Sequence, residues 1–448
     1  MPLRSIAFLL FFTVSSAVSL VHPMAGVVGY LALYHVYPQT TWWGKPLAFL
    51  GARWSFICGT CLLIGTALNL NRLRFGRRFL HPVEVGMLVT LLAIILSTAT
   101  GTVWDERTET FLDKMMKVFL FAFLFSHVVV TRQQLWQVVV VLNLAALYLG
   151  HEAYVAPRGA FEGNRLNGIG GPDFQESSGL AIHLCALLPF VLVLFRQRSW
   201  LWKGVAFLAA GFSVNAVLLC RTRSATVAAA VAGLLSLIYA PRHHRRWLGA
   251  MLGLGVVGVV ILGDAWFWER MATIVRPSEG RDQSADTRLV IWSAAWEMIR
   301  ANPLGVGVGH FSAEIGRYAR VAGLDRRDAH NSFLLCAAET GWLGLAAYLA
   351  TLFMAWRTLT HLARQTRRDL LGDDRLELIV FANRMALLVY MVGGLFSSRF
   401  YMEGQWILIA LTVCTARVVE NELRALREPM LLVQDPEYAI PSAGVPAL

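Results

Sequence analysis

The sequence predicts an all-α protein that crosses a membrane many times, and three observations lead to this prediction. Of the 448 residues, 56% are hydrophobic and only 15% are charged, whereas soluble domains carry about 25% charged residues. The apolar residues form long continuous blocks without the alternation that is typical of strands. Because lipid offers the backbone no hydrogen-bond partner, blocks of about 20 apolar residues must fold as helices.

The apolar blocks predict about twelve transmembrane helices. They lie near residues 6–35, 52–70, 83–101, 115–130, 135–150, 178–195, 201–219, 225–240, 247–267, 331–356, 377–398 and 404–419. The first block is expected to be a retained helix that crosses once, with the N-terminus inside. The chain then divides into N-terminal transmembrane helices (1–267), a large loop (268–330), C-terminal transmembrane helices (331–420) and a tail (421–448) that is expected to be disordered.

The formal net charge of +11 is explained by topology. The basic residues cluster in short loops near 72–78, 196–203, 242–246 and 357–368, and they form no nucleic-acid-binding domain. Lys and Arg accumulate in cytoplasmic loops. Because each span moves the chain to the other side of the membrane, five segments should lie on the outer side, at 102–114, 151–177, 220–224, 268–330 and 399–403.

The six cysteines predict neither a disulfide framework nor a metal site. All lie in or at the ends of apolar blocks. Cys58 and Cys61 have CxxC spacing, but they sit inside a hydrophobic segment without a second pair, which favours a packing role. No cofactor is expected.

The large loop carries its own predicted structure. Asp286–Ala301 has apolar residues at helical spacing, which predicts an amphipathic helix at the membrane interface, with Asp286 as its N-cap. Asn302-Pro303 ends it. The glycines within 305–309 predict a tight turn that lets the backbone approach a lipid-linked substrate. A second short helix is expected over Phe311–Ala322.

Three arginines on the outer side require an explanation. Arg221 and Arg223 stand at the junction of two spans, and Arg288 opens the interfacial helix. They either contact lipid headgroups or hold a bound anion, because guanidinium groups match phosphate oxygens bidentately.

Two further polar residues flank the point where the loop re-enters the membrane. His330, after Asp328, is either structural or a general base. Glu339, two to three turns deeper, either orients a nearby Arg or His or forms a buried salt bridge. Together with the arginines they predict a cationic pocket that suits an anionic leaving group on a lipid, such as a polyprenyl diphosphate sugar. Nothing in this pocket requires a metal.

Several motifs resemble the signature region of the O-antigen ligase and O-antigen polymerase superfamily. They are Arg288-Leu-Val-Ile-Trp292, Asn302-Pro-Leu-Gly-Val-Gly307, Ala329-His-Asn331 and Ala338-Glu-Thr-Gly341. Thr222-Arg-Ser224 resembles the family's Ser-Arg-Gly element and keeps the arginine. The resemblance extends from about Asp173 to Arg399, whereas the N-terminal third looks more like the O-glycosylation ligases.

The resemblance implies a metal-independent, inverting glycosyltransferase of the GT-C type. Its ligases transfer a glycan from undecaprenyl diphosphate to lipid A–core on the periplasmic face of the bacterial inner membrane. The family's essential arginines match Arg223 and Arg288, and its essential histidine matches His330. Arg221, Asn331 and Glu339 are weaker candidates for binding or support.

Three alternatives stay open on the sequence. An O-antigen polymerase would use a second lipid-linked glycan as acceptor, and a protein O-glycosylation ligase would use a protein. A transporter of lipid-linked sugars is disfavoured, because transporters carry internal repeats and polar groups near the bilayer midplane. The expected partners are therefore the donor lipid, the acceptor and membrane lipids, with no nucleic acid.

Overall fold

The predicted all-α fold is confirmed. The computed structural model describes residues 1–72, 79–101, 103–274, 283–319, 327–368 and 374–434, and helices dominate this part of the chain. The helices are α1 (Leu3–Ser19), α2 (Pro23–His35), α3 (Trp54–Leu68), α4 (Pro82–Thr100), α5 (Glu106–Val128), α6 (Arg132–Tyr154), α7 (Ser177–Phe195), α8 (Trp200–Cys220), α9 (Arg223–Tyr239), α10 (Arg245–Leu262), α11 (Ala265–Ala272), α12 (Gln283–Ala301), α13 (Phe311–Tyr318), α14 (Ser332–Arg368), α15 (Asp374–Gly394) and α16 (Glu403–Gln434). A short hairpin pairs β1 (Phe161–Glu162) with β2 (Arg165–Leu166).

Several helices can cross a membrane by length and composition. Seven of the described helices are long and apolar enough, and three shorter ones are also apolar. The long ones are α4, α6, α7, α8, α10, α14 and α15, and the shorter ones are α1, α3 and α9. The chain is therefore a multi-pass helical membrane protein, and the total of about twelve spans stays a prediction.

The helices differ in how far the rest of the bundle encloses them. Of the most apolar 18 residues of α15, 89% are buried inside the protein, whereas only 6% of the corresponding residues of α10 are buried. Many Leu, Val, Ile and Phe side chains of α7, α15 and α16 belong to the buried hydrophobic core. Consequently, α15 forms the centre of the bundle and α10 lies at its periphery.

The N-terminal region differs from its prediction. The single helix expected over 6–35 is two helices, because the chain turns before Pro23, the first residue of α2. At the start of α1, Ser5 Oγ donates to the carbonyl of Trp43, which precedes α3. At the end of α1, the Leu20 carbonyl accepts from Asn69 Nδ2, which follows α3, at 3.0 Å. The chain thus runs along the bundle in α1 and turns back in α2, so the prediction of one continuous helix is wrong, whereas a single crossing with the N-terminus inside stays a prediction.

The five segments predicted to face outward meet at one end of the bundle. Contacts between them join Lys114 to Asp173, Asp173 to Glu403, Arg107 to Ser312, Arg221 to Asn164, and Arg399 to Glu176. We call this the loop end. At the opposite end, Arg196 and Arg367 meet the start of α15. We call this the basic end.

The C-terminal helix is longer than predicted. It continues to Gln434, so the disorder predicted for 421–448 is wrong for residues 421–434, and residues 435–448 lie outside the described part of the chain. Near the basic end, Arg417 of α16 donates to the Glu84 carboxylate at 2.8 Å and to the Ser126 carbonyl at 2.6 Å. A buried charge requires such partners, and these join α16 to α4 and α5.

Candidate functional site

His330 lies in a tight turn immediately before α14. Its φ of +46° is in the left-handed region, which non-glycine residues seldom adopt. Trp292 of α12 donates its Nε1–H to the Ala329 carbonyl at 2.9 Å. Asp328 Oδ1 accepts from the Ala329 N–H at 2.8 Å and from Ser398 Oγ at 2.9 Å. The turn is therefore held from both sides, and it presents a half-buried imidazole at the loop end.

The charges around His330 favour the neutral imidazole. Burial lowers the pKa of His330 below its usual value of 6.5, and the positive charge of Arg288 lowers it further. Asp328, whose Oδ2 lies 3.8 Å from Nδ1, opposes this shift. Glu176 also raises the pKa, and Arg399 also lowers it. At pH 7 the ring is therefore neutral and able to accept a proton from a hydroxyl.

The structure brings Arg288 close to His330 and places Arg223 at the same end of the bundle. Arg288 lies in the second turn of α12, half-buried, and its charge acts on the imidazole. Arg223 is the first residue of α9, and its Nη1 donates to Thr273 Oγ1 at 3.1 Å, where α11 ends. The interfacial helix is observed, but it begins at Gln283 rather than at a cap on Asp286, so that cap prediction is wrong.

Arg221 has a structural role in this geometry. It adopts a left-handed backbone at the turn between α8 and α9, with a φ of +48°. One Nη atom donates to the carbonyl of Asn164, and the other donates to the carboxylate of Asp264, which also caps α11. Arg221 thus ties the turn to the hairpin and to α11. Its buried Nε has no hydrogen-bond partner among the described residues, and its predicted help in binding a diphosphate stays a prediction.

Asn331 is also used by the fold. Its Oδ1 accepts from the backbone N–H groups of Phe333 and Leu334, at 2.9 and 3.1 Å, and its Nδ2 donates to the Leu395 carbonyl at 3.1 Å. The first two bonds satisfy amides that have no partner within the helix. Asn331 therefore caps α14, and its predicted contact with a substrate stays a prediction.

Glu339 contacts neither a predicted arginine nor the histidine. Its carboxylate accepts three hydrogen bonds, from Gly309 N–H at 3.0 Å, from Phe311 N–H at 2.8 Å and from the Tyr401 hydroxyl at 2.5 Å. Neither of the two roles predicted for it, orienting an Arg or His and forming a salt bridge, is observed. The carboxylate instead attaches the glycine segment 305–309 to α14, and we call this arrangement the Glu339 clamp.

The glycine segment fits against a break in α14. Gly341 has a φ of +68°, which interrupts the helix and frees backbone groups inside the bundle. Val306 N–H donates to Ala338 O at 2.9 Å and Gly307 N–H donates to Glu339 O at 3.2 Å, while Trp342 N–H donates to Pro303 O at 3.1 Å. These three bonds join the glycine segment and Pro303 to α14, while Gly305 N–H donates to Asn302 O at 2.9 Å within the loop. The expectation that the backbone of this segment approaches a substrate stays a prediction.

Sequence analysis missed Arg399. This arginine is 5% exposed, and it donates to Glu176 at 3.1 Å, to Ser178 Oγ at 2.6 Å and to Ser397 Oγ at 2.7 Å. Its charge also reaches His330. An available signal was its position in a segment predicted to face outward, where arginine is disfavoured. The loop end thus holds a neutral base whose pKa is lowered by the charges of both Arg288 and Arg399, which suits proton removal beside an anionic group.

Two family models match the chain. Residues 208–349 match a model described as O-antigen ligase, and residues 3–199 match one described as a family of unknown function. No curated protein matches the chain. The first match includes Arg223, Arg288 and His330, the residues on which the sequence resemblance rests. Residues 208–349 are therefore similar to the O-antigen ligase family, in agreement with the resemblance of the sequence motifs.

Proposed function

We propose that the protein is an O-antigen ligase. It transfers a glycan from undecaprenyl diphosphate to a hydroxyl of lipid A–core, inverts the anomeric carbon and uses no metal. The observation that carries the proposal is the neutral imidazole of His330 beside Arg288, at one end of a membrane bundle whose residues 208–349 match the ligase family.

His330 acts as the general base in this proposal. The acceptor hydroxyl attacks the anomeric carbon as its proton moves to the imidazole, and the bond from that carbon to the diphosphate oxygen breaks. A base that is neutral at pH 7 can take the proton without first losing one. Asp328, 3.8 Å from Nδ1, stabilises the imidazolium that forms.

Arg288 and Arg223 bind the departing diphosphate in this proposal. Negative charge grows on the leaving group as the bond breaks, and guanidinium groups placed there stabilise it more in the transition state than in the ground state. Arg288 is the better supported of the two, because its charge acts directly on the ring of His330. Arg399, held by Glu176 and Ser178, adds positive potential at the same imidazole.

We infer that the loop end faces the periplasm and that the architecture is of the GT-C type, with about twelve spans in the inner membrane. The basic clusters at the opposite end support this orientation, because Lys and Arg are retained in cytoplasmic loops. The seven long apolar helices, the three shorter ones, and α5 and α16 support the number of spans.

Reconstituted transfer tests the proposal. Purified protein is mixed with lipid-linked glycan and lipid A–core, and the capped lipid is measured. His330→Gln should lower the rate by about 10²–10⁴-fold, the usual contribution of a general base. His361→Gln removes an exposed histidine near the far end of α14 and should leave the rate unchanged. Unchanged transfer by His330→Gln would remove the base from the mechanism.

The products of the same assay separate the related activities. A single capped lipid supports the ligase. A ladder of longer lipid-linked chains indicates a polymerase, and a glycoprotein formed with a protein acceptor indicates an O-glycosylation ligase. Conversion in detergent, without a membrane gradient, excludes a transporter.

A further inference from the structure

The basic end contains a cluster of metal-type ligands that the transfer reaction does not use. His243 and His244, in the turn before α10, face Asp374 at the start of α15, and their ligand atoms all lie within 4.8 Å of one another. His243 Nε2 is 3.1 Å from Asp374 Oδ1 and 3.7 Å from Glu377 Oε2, one turn further along α15. His244 Nε2 is 3.8 Å from Asp374 Oδ1. The two imidazoles thus meet the Asp374 carboxylate, and the Glu377 carboxylate lies beside His243.

His244 gives an independent indication of a missing ligand. The residue is 4% exposed, and its Nε2 has no hydrogen-bond partner among the residues that the structure describes, although it lies 3.8 Å from Asp374 Oδ1. Buried imidazole nitrogens are normally satisfied, and an unsatisfied one requires an explanation. A cation bound between His244 and Asp374 supplies that explanation.

Neighbouring arginines orient the carboxylates towards the histidines. Arg196 lies 3.3 Å from Asp374 Oδ2, and Arg367 Nε donates to Glu377 Oε1 at 2.7 Å. In each carboxylate, the other oxygen faces the imidazoles. Hydrogen bonds of this kind fix metal ligands in their binding orientation. The arginines also offset the negative charge of the carboxylates. We therefore expect the dissociation constant for a bound metal cation to be micromolar rather than nanomolar.

We propose that His243, His244, Asp374 and Glu377 form a binding site for a divalent transition metal of the Zn²⁺ class. Imidazole and carboxylate ligands suit Zn²⁺, whereas Mg²⁺ and Ca²⁺ prefer oxygen ligands alone. Tetrahedral Zn²⁺ with bonds of about 2.0–2.1 Å holds its ligand atoms roughly 3.3 Å apart. The separations of 3.1, 3.7 and 3.8 Å are close to this value, and the ligand atoms of His243, His244 and Asp374 all lie within 4.8 Å of one another, so metal binding requires the side chains to draw together.

The site is distant from the proposed transfer chemistry. Asp374 begins α15, and the 21 residues of this helix extend about 30 Å towards the loop end. The metal would link the turn before α10 to the central helix α15. Because α10 is otherwise the least enclosed of the long helices, such a link would stabilise its attachment to the bundle.

Zinc binding by the full chain tests the proposal. The protein is purified in detergent, its affinity tag is removed and bound metal is stripped with a chelator. Titration with ZnCl₂ should give one Zn²⁺ per chain, and Co²⁺ should give the visible absorption of a tetrahedral nitrogen–oxygen site. His244→Gln and Asp374→Asn should each weaken binding at least tenfold. His361→Gln, which removes an exposed histidine from α14, should bind zinc as the wild type does.

Folding is checked in the same experiment. His243 is 52% exposed in its side chain, so His243→Gln serves as the variant with the smallest effect on packing. In chelator, the variants should elute and unfold as the wild type does, and Zn²⁺ should raise the unfolding temperature of the wild type and of His361→Gln only. The proposal is overturned if the wild type retains no zinc, or if His243→Gln and His244→Gln bind it with unchanged affinity.

Discussion

Replacing Glu339 by glutamine tests the function of the Glu339 clamp. Gly309 N–H donates to one oxygen of the carboxylate and Phe311 N–H donates to the other. A glutamine has only one oxygen, so its NH₂ group must face one of these two N–H donors. The variant therefore leaves at least one buried backbone amide without an acceptor, and its remaining bonds are made to a neutral group.

The magnitude follows from the number of bonds. A hydrogen bond to a charged group stabilises a fold by about 1.5–3 kcal/mol, and one to a neutral group by about 0.5–1.5 kcal/mol. Losing one charged bond and weakening two others lowers the free energy of unfolding by roughly 4 kcal/mol for Glu339→Gln. Tyr401→Phe removes only the hydroxyl that donates at 2.5 Å, and roughly 2 kcal/mol is expected for it.

The assay is denaturant unfolding in detergent, followed by tryptophan fluorescence. The clamp hypothesis requires Glu339→Gln to be less stable than Tyr401→Phe, and both to be less stable than the wild type. It also requires that the transfer rate of Glu339→Gln fall at the same acidic pH as that of the wild type. The reason is that Glu339 contacts neither Arg288 nor His330 in the described structure. Equal stability of wild type and Glu339→Gln, or a fall in the transfer rate at a different pH, would refute the reasoning.

Two further predictions concern His330 and the glycine segment. The kcat/KM for transfer should fall as the pH drops through the pKa of His330, which lies below 6.5. Asp328→Asn removes a negative charge that raises this pKa. A pH–rate profile of this variant should therefore show the fall in kcat/KM at a lower pH than in the wild type. Gly305→Ala places a Cβ 2.3 Å from the Glu339 carbonyl oxygen at a φ of +87°, and unfolding should show a loss of at least about 1–3 kcal/mol. Gly258→Ala adds a Cβ that has no atom within 4 Å, and this control variant should leave the free energy of unfolding unchanged.

The sequence predicts the parts of this fold that depend on the membrane. Continuous apolar blocks require helices, and the basic clusters sort the remaining loops into two groups. The contacts of Lys114, Asp173 and Arg399 show that one group meets at a single end. The N-terminal pair of helices was missed, although Pro23 within a long apolar block was a signal for a break.

The site was predictable only in part. Arg288 and His330 are 42 positions apart in the sequence, and the family resemblance placed both in one site. The partners of Glu339 were not predictable, because two of them are backbone amides of a loop about 30 residues earlier. The face-to-face position of His244 and Asp374 depends on how α10 packs, and no local pattern encodes a pairing across 130 residues.

The break in α14 at Gly341 has a consequence for how the protein opens. An interrupted transmembrane helix often serves as a hinge. Here segment 303–309 spans the interruption, because it forms backbone hydrogen bonds with α14 on both sides of Gly341. Lifting the segment would expose at least three backbone groups to a low-dielectric interior, each at a cost of several kcal/mol. Under the proposed function, substrates therefore enter and leave while segment 303–309 stays in place. Hydrogen exchange should find the amides of Val306 and Gly307 among the slowest in the large loop.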